Sequence, residues 1–208
     1  MIITDIVEIN TIRGKAKSSY KVFINDVFAF LLSSRDINQY GLQIGEEISP
    51  DTYENIIEDV VFPKAKHKAL TILSHSDRTE KEIYERLKEA YYPDEIILRT
   101  INYLKEYNYL NDERLARNYI RLRKQDHSRI VLESKLIQKG INKKVLDKIF
   151  EEEYQNNEDN EDPEILAINK IILKKCENLT NISPEEKQKL INLLYRRGFD
   201  LDKINKCL

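Results

Sequence analysis

The residues whose types could do chemistry are few and scattered. His67, His75 and His127 are isolated from one another by spacing, and no pair falls on one helical face at i, i+4 with a carboxylate set to make a metal site. They read as surface or helix-capping histidines. Gly14-Lys15 resembles the tail of a phosphate-binding loop, but Ile9 stands where that loop needs an earlier glycine and Ala16 where it needs a hydroxyl. Cys176 and Cys207 lack C-x-x-C spacing and read as idle thiols, with neither zinc nor a disulfide implied. No two carboxylates stand out in an apolar setting that would shift a pKa for acid–base work. These failures argue against an enzyme and against any cofactor or metal.

The positive signal is electrostatic. The chain has a net charge of −2, yet residues 112–148 hold eleven Lys/Arg against five acids, a local charge of +6. On a helical wheel Leu115, Tyr119 and Leu122 fall together beside Ala116 and Ile120, whereas Arg114, Arg117, Arg121 and Lys124 gather on the opposite side. A solvated face would mix signs to form i, i+4 pairs, and this stripe reads as having no acid at pairing distance. The candidate binding residues for a polyanion or an acidic partner are therefore Arg114, Arg117, Arg121, Lys124, Arg129, Lys135 and Lys139. A merely solvated face is the competing reading. Tyr91, Tyr92, Tyr103, Tyr107, Tyr109 and Tyr119 offer stacking surfaces for bases, or else are half-buried packing residues with wet hydroxyls.

The elements that must carry these residues are mostly helices. Charged residues make up 34% of the 208, above the ~25% usual for globular chains, and Gly and Pro number only five each. Residues 1–32 differ: Ile2 to Ile9, Tyr20 to Ile24 and Val27 to Leu32 are β-rich runs, and Asn25-Asp26 between the last two is a two-residue hairpin turn. Ser33 or Ser34 caps a short helix ending at Gly41, and Ser49-Pro50 opens another. Pro63 interrupts that helix or begins the next.

Beyond Pro63 three segments superimpose. Ala69-Leu70, Leu115-Ala116 and Leu166-Ala167 mark their opening helices, and Leu136–Gly140–Leu146 repeats its spacing as Leu194–Gly198–Ile204. In the first segment Leu87 and Ile97 occupy the same places, but Tyr91 replaces the glycine, so a differently built turn is expected there. The fold class is accordingly mainly α: three tandem three-helix repeats in an elongated, curved array, with a small β-hairpin extension. The boundaries are 1–62 for the extension with its short helices, 63–111 and 112–155 for the first two repeats, and 156–208 for an acidic linker with the third. Residues 151–164, with eight carboxylates and no Lys or Arg, read as that solvated linker, or as a hinge for the third repeat. No signal peptide or spanning run is apparent, so a cytoplasmic monomer is expected.

RTEKEIYERL (78–87) followed by INYLKEYNYLNDERLARNYI (101–120) resembles the signature of the RecX family, and KLIQKGI (135–141) is similar to the family's Lys-Gly-Ile ending. The segment through YGLQIGEEIS is similar to the β-containing extension of longer members. Leu115 occupies a place that is usually aromatic, and Asp126-His127-Ser128 replaces a usual glycine. The resemblance implies a non-enzymatic modulator of RecA. Such a modulator binds the RecA–DNA filament, lies in its groove and limits filament growth, ATP hydrolysis, strand exchange and SOS co-protease activity. RecA and single-stranded DNA are the implied partners, with double-stranded DNA a further candidate. The alternatives are a stand-alone DNA-binding module of helix-turn-helix type and, more remotely, a nuclease whose carboxylates converge only in three dimensions.

Overall fold

The computed structural model describes residues 1–9, 19–155, 162–175 and 182–208. Gly14-Lys15 and Cys176 lie outside them. The chain divides into two compact units, Met1–Leu110 and Asn111–Leu208.

The first unit opens with an antiparallel sheet, β1 (Ile3–Ile9), β2 (Ser19–Ile24) and β3 (Val27–Ser33), in the order β1-β2-β3. Asn25 and Asp26 both have positive φ, 49° and 65°, the geometry that the tight hairpin demands and that these two residue types tolerate. Alternation along the strands sends Val22, Ile24, Phe30 and Leu32 to one face, where they are buried against Ile56, Val60 and Val61.

Ser33 caps α1 (Ser34–Tyr40) in a reciprocal box with Asp36, and Gly41 ends it in the left-handed conformation. Ser49 caps α2 (Pro50–Ile56), which passes through a π-helical turn, Ile57–Val61, into α3 (Phe62–His75). Pro63 stands in the first turn of α3, directly after that π-helical turn, and does not interrupt the helical path. It has no N–H, and in α-register its ring would meet the carbonyl of Asp59; the wider π turn, in which the Phe62 N–H reaches the Ile57 carbonyl, accommodates it. Three-helix repeats follow: α3 with α4 (Glu80–Glu89) and α5 (Asp94–Glu106), then α6 (Asp112–Arg123), α7 (Arg129–Gln138) and α8 (Lys143–Gln155), then α9 (Pro163–Lys175), α10 (Pro184–Arg196) and α11 (Leu201–Cys207).

Equivalent positions do equivalent work. Ala69, Ala116 and Ala167 are fully buried, as are Leu87, Leu136 and Leu194, and Ile97, Leu146 and Ile204. The turn after the second helix is also the same three times: Tyr92, Ile141 and Phe199 donate their N–H to the carbonyls of Leu87, Leu136 and Leu194. Gly140 and Gly198 hold the left-handed position at φ 94° and 80°, and in the first repeat Tyr91 does so at φ 62°. The expectation of a different turn there is therefore corrected. Tyr91 bears a backbone cost of about 1–2 kcal/mol, offset in part by Lys21, whose Nζ lies 3.9 Å from its ring centroid.

The acidic segment is corrected at both ends. Glu151–Gln155 are the last turn of α8, and Asp162 and Glu164 tie the third repeat to the second. The Glu164 carboxylate accepts the Arg129 N–H at the start of α7 (2.8 Å) and Lys203 Nζ (2.7 Å), and Asp162 also holds Lys203. Ser128 caps the same helix while donating to the Arg197 carbonyl at 2.7 Å. A Cβ on Gly198 would lie 2.9 Å from that hydroxyl, so the glycine is required for the close approach as well as for φ.

Candidate polyanion-binding face

Asn111 starts α6 by accepting the Arg114 N–H at 2.8 Å. The buried stripe is centred on Ala116 and Ile120, with Leu115 and Tyr119 at its edges; Leu122, placed by the wheel on the packing side, is 79% exposed. The rotation has a cause: the stem of Lys124 occupies the inner face one turn on, and the residue is only 7% exposed.

The cationic stripe is not unpaired. Glu113, one turn before Arg117, accepts from it at 3.1 Å, and Glu152 of α8 does so at 2.6 Å. Arg121 grips Glu153 with two bonds, Nε at 3.1 Å and Nη2 at 2.7 Å, and Lys124 Nζ donates to the backbone carbonyl of the same residue. Glu153 is buried with its side chain 6% exposed, and the Arg121 hydrogen bonds hold its carboxyl below the usual range against the opposing effect of burial. Arg117, Arg121 and Lys124 thus clamp α6 to α8. Helical periodicity within α6 could not show this, because two of the three acids come from another helix.

The remaining candidates separate. Arg129 lies over the Phe150 ring at 4.9 Å and 3.7 Å from Asp147, where it serves packing. Arg114 is exposed on α6, and Lys135 and Lys139 follow one another at i, i+4 on α7. Lys135 bears on His127, which the sequence presents as a surface or helix-capping histidine. His127 is pushed below its ordinary pKa first by burial and then by the fields of Lys135 and Arg123, and its Nδ1 is buried with no hydrogen-bond partner. Beside it Asp126 is held low by its hydrogen bond with Lys170 of α9, with Lys174 adding to the effect. Arg123, exposed, stacks its guanidinium 4.9 Å from the Tyr119 ring. Lys170 and Lys174 of α9 therefore bear on Asp126, and Lys135 of α7 and Arg123 of α6 on its neighbour His127, which brings four cations to the α6–α7 connection. The run NKIILKK (169–175), with Lys170, Lys174 and Lys175 as its cations, was the signal available in the sequence.

The other chemistry sought in the sequence finds little support. Among the described residues no group of His, Cys, Asp and Glu is arranged to hold a metal ion, and no helix is long and apolar enough to cross a membrane. His67 is exposed, and His75 closes the last turn of α3 with Nδ1 2.7 Å from the Thr71 carbonyl. Of the six tyrosines, Tyr92, Tyr103 and Tyr119 pack against cores, and Tyr91, Tyr107 and Tyr109 are exposed.

Comparison with known proteins gives one family. Residues 65–104 match the first three-helix domain of RecX and residues 165–208 its third. A regulatory protein RecX from Caldanaerobacter subterraneus subsp. tengcongensis is 30% identical, covering 95% of each chain. One from Clostridium acetobutylicum is 30% identical over 93% of this chain and 90% of its own, and one from Clostridioides difficile is 32% identical over 90% and 86%. Among solved structures, one titled regulatory protein RecX superimposes with a TM-score of 0.61 at 22% identity, covering 99% of this chain and 98% of its own. RecX from Lactobacillus salivarius does so with a TM-score of 0.59 at 21% identity, over 70% and 93%.

Proposed function

Since the chain belongs to the RecX family, whose similar members are named regulatory proteins, we propose that it binds the RecA–DNA filament and limits filament extension, ATP hydrolysis, recombination and SOS co-protease activity. The observation that carries this reading is the similarity at 30% identity along 95% of the chain, which takes in all three repeats and the β-extension. The action is cytoplasmic and needs no catalysis by the chain itself. Electrostatics suits it: RecA-bound DNA presents a polyanion, and Arg123, Lys135 and Lys174 offer exposed cations about the Asp126-His127 pair. Arg114 and Lys139 extend that face, whereas Arg117, Arg121, Lys124 and Arg129 shape it from within.

Co-sedimentation with cognate RecA assembled on single-stranded DNA tests the binding step. The chain is expected in the pellet with filaments, and the double variant Arg123→Glu, Lys135→Glu largely in the supernatant. Recovery of wild-type chain in the supernatant at micromolar filament would overturn the proposal. Pelleting with DNA alone, to the same extent as with filaments, would favour the stand-alone DNA-binding module.

A further inference from the structure

The N-terminal unit holds a second cationic surface, on the helix that opens the first repeat. Lys64, His67, Lys68 and His75 recur along α3 at the spacing of one helical face, opposite the buried Ala65 and Ala69. That face is the floor of two adjoining clefts that share Lys68 and Thr71. The first, about 720 Å³, is walled by Arg35 and Asp36 of α1 and by Asp59 of the π-helical turn; the second, about 460 Å³, by Arg78 and by Arg86 and Glu89 of α4.

The charges are only partly answered. Lys64 pairs with Asp36 at 2.5 Å, Arg86 with Glu89 at 3.3 Å and Arg78 with Glu82 at 3.6 Å. Arg35 and Lys68 are exposed and, among the described residues, make neither a hydrogen bond nor an ion pair. Arg78 Nε is buried without a partner. From Lys64 to His75 the stripe runs about 16 Å at the helical rise, too long for one small anion and suited to several successive phosphates. None of the large apolar side chains exposed on this unit, such as Leu98, Tyr107 and Tyr109, lines either cleft. An acidic protein would find buried Val60 and half-buried Pro63 and Tyr92 of the first cleft to pack on, but no exposed aromatic or aliphatic anchor, whereas a phosphate backbone needs only charge.

We propose that the α3 trough is a nucleic-acid-binding surface of the N-terminal unit, separate from the face around Asp126, that takes the phosphate backbone of a single strand. Arg35 and Lys68 make the contacts, and Lys64, Arg78 and Arg86 set the potential along the trough. Because Arg35 and Lys68 hold no partner among the described residues, neutralising them leaves the contacts of those residues intact.

The test is fluorescence anisotropy of a labelled oligothymidylate of about 20 nucleotides with the full chain across a salt series. Arg35→Gln, Lys68→Gln should weaken binding roughly 10- to 30-fold near ~0.1 M salt and make the slope of log K against log salt shallower by about 1.4, two contacts at ~0.7 each. Arg123→Gln, Lys135→Gln should leave part of that binding in place, and combining the four changes should remove it. Affinity and slope unchanged in Arg35→Gln, Lys68→Gln, with unaltered circular dichroism, would overturn the proposal. So would competition in which inorganic phosphate at millimolar concentration, or a polyglutamate at equal charge, displaces the strand from the wild-type chain as well as unlabelled oligothymidylate does.

Discussion

Replacing Gly198 by alanine probes the seam between the second and third repeats. Gly41 and Gly198 both have positive φ, 59° and 80°, so alanine at either meets the left-handed backbone cost of about 1–2 kcal/mol, less about 0.4–1 kcal/mol for the stiffer unfolded chain. At Gly41 nothing lies within 4 Å of the new Cβ, and the net loss should stay near ~1 kcal/mol. At Gly198 the Cβ lies 2.9 Å from Ser128 Oγ, which cannot retreat without giving up its bonds to the Arg197 carbonyl and the Val131 N–H. Losing a helix cap costs about 1 kcal/mol and losing the part-buried hydrogen bond to the Arg197 carbonyl about 0.5–1.5 kcal/mol, so Gly198→Ala should cost roughly 1–3 kcal/mol more than Gly41→Ala. For a chain of this length that is a further fall in Tm of about 2–12 °C by calorimetry or circular dichroism. Ser128→Ala removes the obstructing oxygen, so Ser128→Ala with Gly198→Ala should be less destabilising than the sum of the single changes by at least ~1 kcal/mol. Equal Tm losses for the two glycine variants, or strict additivity in the cycle, would refute the reasoning.

Other consequences follow from the same contacts. Glu153 has its carboxyl held low by Arg121, so the stability it contributes is present above the unfolded-state value near ~4.3 and is lost as pH falls through its lower folded value; urea titrations of wild type and Glu153→Gln should differ by a constant amount above pH ~5 and converge in acid. A gap that widens in acid would contradict this. His127 is depressed by burial and by Lys135 and Arg123, so Lys135→Gln should raise its midpoint in an NMR titration, and an unmoved midpoint would remove Lys135 from the cluster. Tyr91→Gly relieves a left-handed side chain but loses the Lys21 contact and loosens the unfolded chain, so chemical denaturation should show a change within ~1 kcal/mol; a loss above ~2 kcal/mol would mean the tyrosine holds the turn in another way.

Much of the architecture was legible because repeats write their constraints more than once. Leu136–Gly140–Leu146 and Leu194–Gly198–Ile204 fix the turn, and the buried alanines Ala69, Ala116 and Ala167 fix the opening helices, since only a small side chain fits where neighbouring helices approach closely. Asn25-Asp26 and Ser49-Pro50 were legible for local reasons of backbone geometry. What was not legible depended on partners distant in the chain. Arg121 looked like part of a free cationic stripe because Glu153 approaches from α8, and Arg117 did so although Glu113 stands one turn before it, its other partner Glu152 also coming from α8; those α8 acids looked like linker because their cations lie some 30 residues earlier. Arg123 and His127 gained significance only when α9 brought Lys170 and Lys174 to Asp126. Tyr91 misled because its type argues against a conformation that the surrounding turn nevertheless imposes.

The regulatory reading is tested most directly by the single-stranded-DNA-dependent ATPase of the cognate RecA, with the chain titrated from well below to equal the RecA concentration. Loss of ATPase at substoichiometric chain, weakened in Arg123→Glu, Lys135→Glu, is the predicted result and indicates blocked filament growth. Undiminished ATPase at equal concentration, with the chain folded, would contradict it.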